Sequence, residues 1–145
     1  RAMKFENSVV IDQPVKRVFD FVTDLSNNAK WQTDILELEV TSDGRFELGS
    51  TYRCVNLFLG QRIETEGVIT DYVPDRICAF QIYSGQVTGE SHFSFEALDG
   101  ATKFTTKADL DLKFFRLGSL LIRRKILRQI KHDMLKLKKI LENGH

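Results

Sequence analysis

Residues 88–142 read TGESHFSFEALDGATKFTTKADLDLKFFRLGSLLIRRKILRQIKHDMLKLKKILE, and the period of their apolar side chains changes once, after Phe114. Up to that point it is two. Ser91, Phe93 and Phe95 share one parity, and beyond the turn signal Asp99-Gly100 so do Phe104, Thr106, Ala108, Leu110 and Leu112. That predicts two half-buried strands joined by a tight turn. After Phe114 the period is 3.6. Leu120, Leu127, Ile130, Met134, Leu137 and Leu141 fall on one side of a helix over about 115–142, roughly 40 Å long at 1.5 Å per residue. The other side carries Lys125, Gln129, His132, Lys136 and Lys139, which the pattern assigns to solvent. A long helix with a single apolar stripe has to lie across a sheet.

Working back towards the N-terminus, period two persists to Ile35. Strands are expected near 35–42, 51–58, 62–73, 76–83, 88–97 and 102–113, with turn signals at Asp43-Gly44, Gly60, Pro74-Asp75, Ser84-Gly85 and Asp99-Gly100. Strands joined so closely form an antiparallel meander. Ahead of them FENSVVID (5–12) alternates like a further strand, and DQPVKRVF (12–19) opens a helix. Asp12 is placed to cap it, Pro14 sits where a missing N–H is harmless, and Val15, Val18, Phe19 and Val22 follow at helical spacing. A second short helix or turn is expected from Leu25 towards Trp31. The fold class is therefore α+β: a strongly curved seven-stranded antiparallel sheet wrapped around the C-terminal helix, because a flat sheet of that size leaves an apolar face in water. With 145 residues, 42% of them hydrophobic, a single domain over 1–145 has room for a core and a cavity, not for a second domain.

The net charge of +1 conceals an asymmetry: the segment Lys113 to Glu142 carries +8 and the remainder −7. Such a split fits an anionic partner or a basic helix resting on its own acidic domain. No apolar run approaches the roughly 20 residues that span a bilayer, and with no apolar signal segment at the start the expected address is cytoplasmic. Arg1 and Ala2 ahead of Met3, and Gly144 and His145 at the end, read as expression remnants. Cys54 and Cys78 fall on strands with another between them, roughly 9.5 Å apart. A disulfide needs less than about 7 Å, so reduced, partly buried thiols are expected.

The motifs then combine. DQPVKRVF follows strand one in the manner of an APxxVF element, Trp31 comes a dozen residues on, Gly49 initiates strand three, Pro74-Asp75-Arg76 precedes strand five, and MLKLKKILE (134–142) closes the chain in an LxxLKxxLE-like pattern. In this order, over essentially the whole chain, they resemble the START-related, polyketide cyclase/dehydrase superfamily (SRPBCC, Bet v 1-like), whose fold is called helix-grip. The resemblance implies an apolar cavity between the concave sheet and the long helix. Alternation supplies its lining: Ser91 and Phe93, Thr106 and Ala108, Phe80 and Ile82, and Tyr52 and Asn56 on the parity of Cys54. Leu120 and Leu127 are the helix's contribution. The strand at 62–73 is ambiguous, since Val68 and Tyr72 inward bring Glu66 with them, while Ile63, Thr65 and Ile69 make the opposite parity nearly as apolar. Resemblance to hormone-binding members, which carry a pocket glutamate on this strand, favours Glu66 and Val68 inward.

Arg123 is the anomaly of the helix, projecting into its apolar stripe. A guanidinium there must snorkel, pair with a carboxylate or face a wet cavity. In the last case it is expected, with Glu66, to orient the polar head of a mostly apolar ligand. Trp31 is expected to close one end of the core.

No catalytic residue is assigned. His92 and His132 lack ligand-spaced partners and read as surface residues, so no metal is expected. No phosphate-cradling glycine loop or dinucleotide fingerprint calls for a cofactor. The preferred function is binding or transport of a small hydrophobic molecule, such as a lipid, isoprenoid quinone or polyketide-like compound, by a monomer or homodimer. One alternative is a polyketide cyclase or dehydratase, whose pocket groups are scattered enough to leave no motif. A second is an interaction module whose Arg124, Lys125, Arg128, Lys131, Lys138 and Lys139 dock on an anionic membrane. Nucleic acid is not expected, since the basic residues are not interleaved with exposed aromatics.

Overall fold

The computed structural model describes residues 2–58, 60–113 and 119–143. The chain runs β1 (Ala2–Ile11), α1 (Val15–Thr23), a single 3₁₀ turn (Leu25–Asn27), α2 (Asn28–Trp31), β2 (Ile35–Val40), β3 (Thr51–Phe58), β4 (Gln61–Val73), β5 (Ile77–Gly85), β6 (Val87–Leu98), β7 (Ala101–Leu112) and α3 (Ser119–Glu142). The strands form one seven-stranded antiparallel sheet in the order β1-β7-β6-β5-β4-β3-β2. This is the helix-grip architecture: α3 packs against β1 and against α2. The first turn of the long helix expected at 115–118, and the remnant readings at Arg1, Gly144 and His145, lie outside the described residues.

Asp12 does not cap α1. The residue immediately before the first helical turn is Pro14, which makes no side-chain cap bond, so Asp12 stands too early. Its N–H instead donates to Glu142 Oε2 at 2.7 Å, while Lys138 Nζ donates to Glu142 Oε2 and to the carbonyl of Val10, at 2.7 and 2.6 Å. Gln13 Nε2 adds a bond to the Leu141 carbonyl at 3.0 Å. Together these pin the end of α3 to the β1–α1 corner.

Two irregularities in the β4–β5 pairing interrupt the ladder: the first adds Tyr83 on β5 and leaves the parity of β4 unchanged, and the second adds Thr70 on β4 itself. Its register to β5 shifts between Glu66 and Gly67 and again between Ile69 and Asp71. A bulge inserts a residue, kinks the strand and reverses the in–out parity beyond it. Ile63, Thr65, Gly67 and Ile69 are buried, yet past the second bulge Tyr72 turns inward and packs its ring on Phe19. Tyr72 and Val68 therefore do not share a face, and neither Val68 nor Glu66 points to the concave side. Gly67 is required as glycine: Tyr52 lies across it so closely that a Cβ would sit 2.4 Å from the ring carbon Cζ.

The interior is divided. One cluster gathers Ile11, Val18, Phe19, Val22, Trp31, Phe95 and Phe104 against Met134, Leu137 and Leu141 of α3. The other joins Phe5 and Leu112 to Ile122 and Ile126. Leu137 is wholly buried and Leu120 is 64% exposed. The buried stripe of α3 is thus Ile122, Ile126, Ile130, Met134, Leu137 and Leu141, from which Leu120 is rotated by roughly a quarter turn. Full burial of a side chain such as Leu137 stabilises the fold by about 1.5–3 kcal/mol.

Candidate functional site

Between the two clusters lies a cavity of about 300 Å³. Its floor is a run of aromatic rings packed edge to face across the sheet, Phe93 on Phe80 at 5.4 Å and Phe80 on Tyr52 at 5.9 Å between centroids, with Phe104 behind Phe93 at 5.3 Å in the main cluster. Ile82, Ser91, Thr106, Ala108 and Asn56 continue the sheet wall, and Ile126, Gln129, Ile130 and Asp133 form the helix wall. Alternation read from the sequence therefore brings Tyr52, Asn56, Phe80, Ile82, Ser91, Phe93, Thr106 and Ala108 to one space.

The other expected members lie elsewhere. Glu66 is exposed and stands opposite Arg53 on the outer face, because the inward residues of this half of β4 are Ile63, Thr65 and Ile69. Val68 shares that outward parity. Leu120 faces solvent, and Leu127 packs against the Phe5 cluster outside the cavity lining. Arg123 satisfies its position without a cavity, its guanidinium stacking over the Phe5 ring at 5.3 Å. The Arg123–Glu66 pair is thus replaced by two separate surface roles. Gln129, assigned to solvent by the helix pattern, turns its amide inward.

Trp31 is buried in the main cluster, against Phe93 and Phe104, rather than on the cavity. His92 and His132 are exposed. Among the described residues no group of three His, Cys, Asp or Glu is placed to hold a metal ion, and no helix is long and apolar enough to cross a membrane. Both cysteines are free and buried, and burial pushes each thiol up to about 12.

The polar groups concentrate where α2 meets α3. Asp133 is buried, and its Oδ1 accepts from Gln129 Nε2 at 2.9 Å, from Thr33 Oγ1 at 3.1 Å and from the Thr33 N–H at 3.4 Å. Gln129 Nε2 also donates to Thr33 Oγ1. Burial raises the carboxyl of Asp133, and these bonds partly offset it. Asp34, in the turn after α2, is pushed up to about 6, first by burial and then by the neighbouring charge of Asp133, against a hydrogen bond from Asn56. Asn56 Oδ1 in turn accepts from the Cys54 thiol at 3.1 Å. Asn28 Nδ2 donates to Gln32 Oε1 at 2.8 Å, while Asn28 Oδ1 and the Tyr52 hydroxyl are buried and have no partner among the described residues. Sequence reasoning missed this cluster, although one signal was present: Asp133 is the sole acid of an otherwise basic helix before its last turn, and it falls beside Met134 on the apolar side.

Residues 2–142 match the family described as polyketide cyclase/dehydrase and lipid transport. The chain belongs to that family. Among solved structures, a START superfamily protein from Mycobacterium smegmatis is 15% identical with a TM-score of 0.82, covering 97% of each chain. A protein from Thermus thermophilus is 15% identical with a TM-score of 0.81, covering 94% of this chain and 95% of that one. The Zhui aromatase/cyclase from a Streptomyces species is 14% identical with a TM-score of 0.74, covering 94% of this chain and 88% of that one. At these identities the likeness is one of fold. None of the curated proteins matches.

Proposed function

We propose that this protein binds a small, mainly apolar molecule in the cavity between the sheet and α3. The observation that carries the reading is the division of the core: about 300 Å³ of space opens between two packed clusters. Protein interiors are otherwise close-packed, and the apolar walls around a space of this size lack the protein neighbours that a packed core gives them. An apolar ligand takes the place of those neighbours, and the volume is at the lower end of ligand-pocket sizes. Native mass spectrometry of the protein purified without detergent, and again after incubation with a panel of lipids, quinones and polyketide-like compounds, tests it. An added mass of a few hundred daltons that disappears on denaturation is expected. A chain that captures nothing from the panel refutes the reading.

The acid pair at the end of the cavity favours one second reading, a cyclisation or dehydration of such a molecule. A carboxyl lifted to about 6 is suited to exchange protons near neutral pH. A carrier returns its ligand unaltered after incubation, and an enzyme does not.

A further inference from the structure

The cavity is apolar over most of its wall and acidic at one end. Asp34 and Asp133 both line it, and none of its lining residues is Lys, Arg or His. A carboxylate removed from water is stabilised only by hydrogen bonds and an opposite charge. The cavity wall supplies the first, and among the described residues the nearest basic group is the exposed His132, whose Nδ1 lies 3.7 Å from Asp133 Oδ1 outside the lining. At neutral pH Asp34 is largely ionised, so the pole carries negative charge with no cation among the residues that line it.

Acceptors without a donor belong to the same cavity wall. Asn28 is only 6% exposed and lines the same cavity, and among the described residues its buried Oδ1 has no donor. Among the described residues the hydrogen bonds to Asp133 all end on Oδ1, leaving Oδ2 unbonded. An orphaned, buried amide oxygen costs about 1–3 kcal/mol until a donor reaches it. We propose that Asp34, Asp133 and Asn28 form a subsite for a protonated amine carried by an otherwise apolar ligand.

The chemistry discriminates among head groups. An ammonium brings three N–H donors and one positive charge, and so meets both the open acceptors and the carboxylates. A hydroxyl satisfies one acceptor and leaves the charge. A carboxylate adds like charge to the pole and is repelled, the more so because the surroundings are poorly polarisable. The apolar floor from Phe93 to Tyr52 takes the ligand's body in each case, so the head group alone sets the order.

The inference rests on the binding reading above, and the two fail separately in one experiment. The neutral fluorophore N-phenylnaphthylamine is bound to the purified protein at neutral pH and displaced by octylamine, octanol or octanoate. Octylamine is expected to compete about tenfold more tightly than octanol, the size of a charge-assisted bond in a shielded site, and octanoate more weakly than either. Asp34→Asn and Asp133→Asn, each checked for folding by urea titration, are expected to bring octylamine close to octanol. If Asp133→Asn does not fold, Asp34→Asn decides alone, since it removes a destabilising charge. Octanoate competing as well as octylamine, or an amine preference intact in the folded variants, overturns the subsite. Failure of the fluorophore and of all three alkyl compounds to bind overturns the binding reading, and the subsite with it.

Discussion

Replacing Asp34 by Asn should stabilise the protein at neutral pH, and the size of the effect follows from the site. The Asp34 carboxyl is lifted from 3.8 to about 6 by burial and by Asp133. At about 1.36 kcal/mol per pH unit, that displacement makes the ionised group cost the folded state up to about 3 kcal/mol. Some contact with water reduces this, so a gain of about 1–3 kcal/mol is expected for the variant at pH above about 7. The sign is fixed by proton binding. The folded protein holds this proton more tightly than the unfolded chain, so the wild type keeps its full stability below pH 3.8, loses it as pH rises to about 6, and is level above. Asn does not titrate. The groups that act on Asp34, namely Asp133 from α3 and Asn56 and Cys54 from β3, are present in both proteins, so the difference between the two urea curves reports Asp34 together with its coupling to Asp133. The midpoint of Asp34→Asn should exceed that of the wild type at neutral pH, with the same slope, and the gap should close towards pH 4. A variant less stable than the wild type at neutral pH, or a gap independent of pH, refutes the reasoning.

Other consequences are equally direct. Leu137→Ala should cost about 2–5 kcal/mol and Leu120→Ala less than about 0.5, measured by urea denaturation, because one is wholly buried and the other 64% exposed. Gly67→Ala should destabilise by about 1–3 kcal/mol, because its methyl displaces the buried Tyr52 ring; the same change should weaken binding of an apolar fluorophore as that ring is pushed off the wall. Cys54 and Cys78 should resist iodoacetamide at pH 8 in the native protein and react promptly in urea, since burial pushes both thiols up to about 12.

How much of this was legible in the sequence depended on how long each pattern ran. The strands from Ile35 onward and the last helix carry many repeats of one period, so their order, their sheet and most of their inward parities could be read. β4 shows the limit: a bulge between Ile69 and Asp71 puts Tyr72 and Val68 on different faces, and alternation alone carries no sign of an inserted residue. Anchoring the helix stripe on Leu120 misplaced its centre, which drew Leu127 inward and left Gln129 in solvent. The acidic pole is harder still. Asp34 sits in a turn with no period to read, and Thr33 meets Asp133, a contact across 100 residues, only because α2 folds against α3. Arg123 looked like a site residue because a charge in an apolar stripe demands a partner. That partner turned out to be the Phe5 ring.

The central claim is that the space between sheet and helix is a binding site, and filling it is the most direct test. Ala108 lines that space from the middle of β7, so Ala108→Phe should occupy it with little change to the outer surface. Titration of N-phenylnaphthylamine is predicted to give a saturable fluorescence rise at one probe per chain in the wild type and none in the folded Ala108→Phe variant. Equal binding by both proteins would contradict the account, as would a wild type that binds no probe at all.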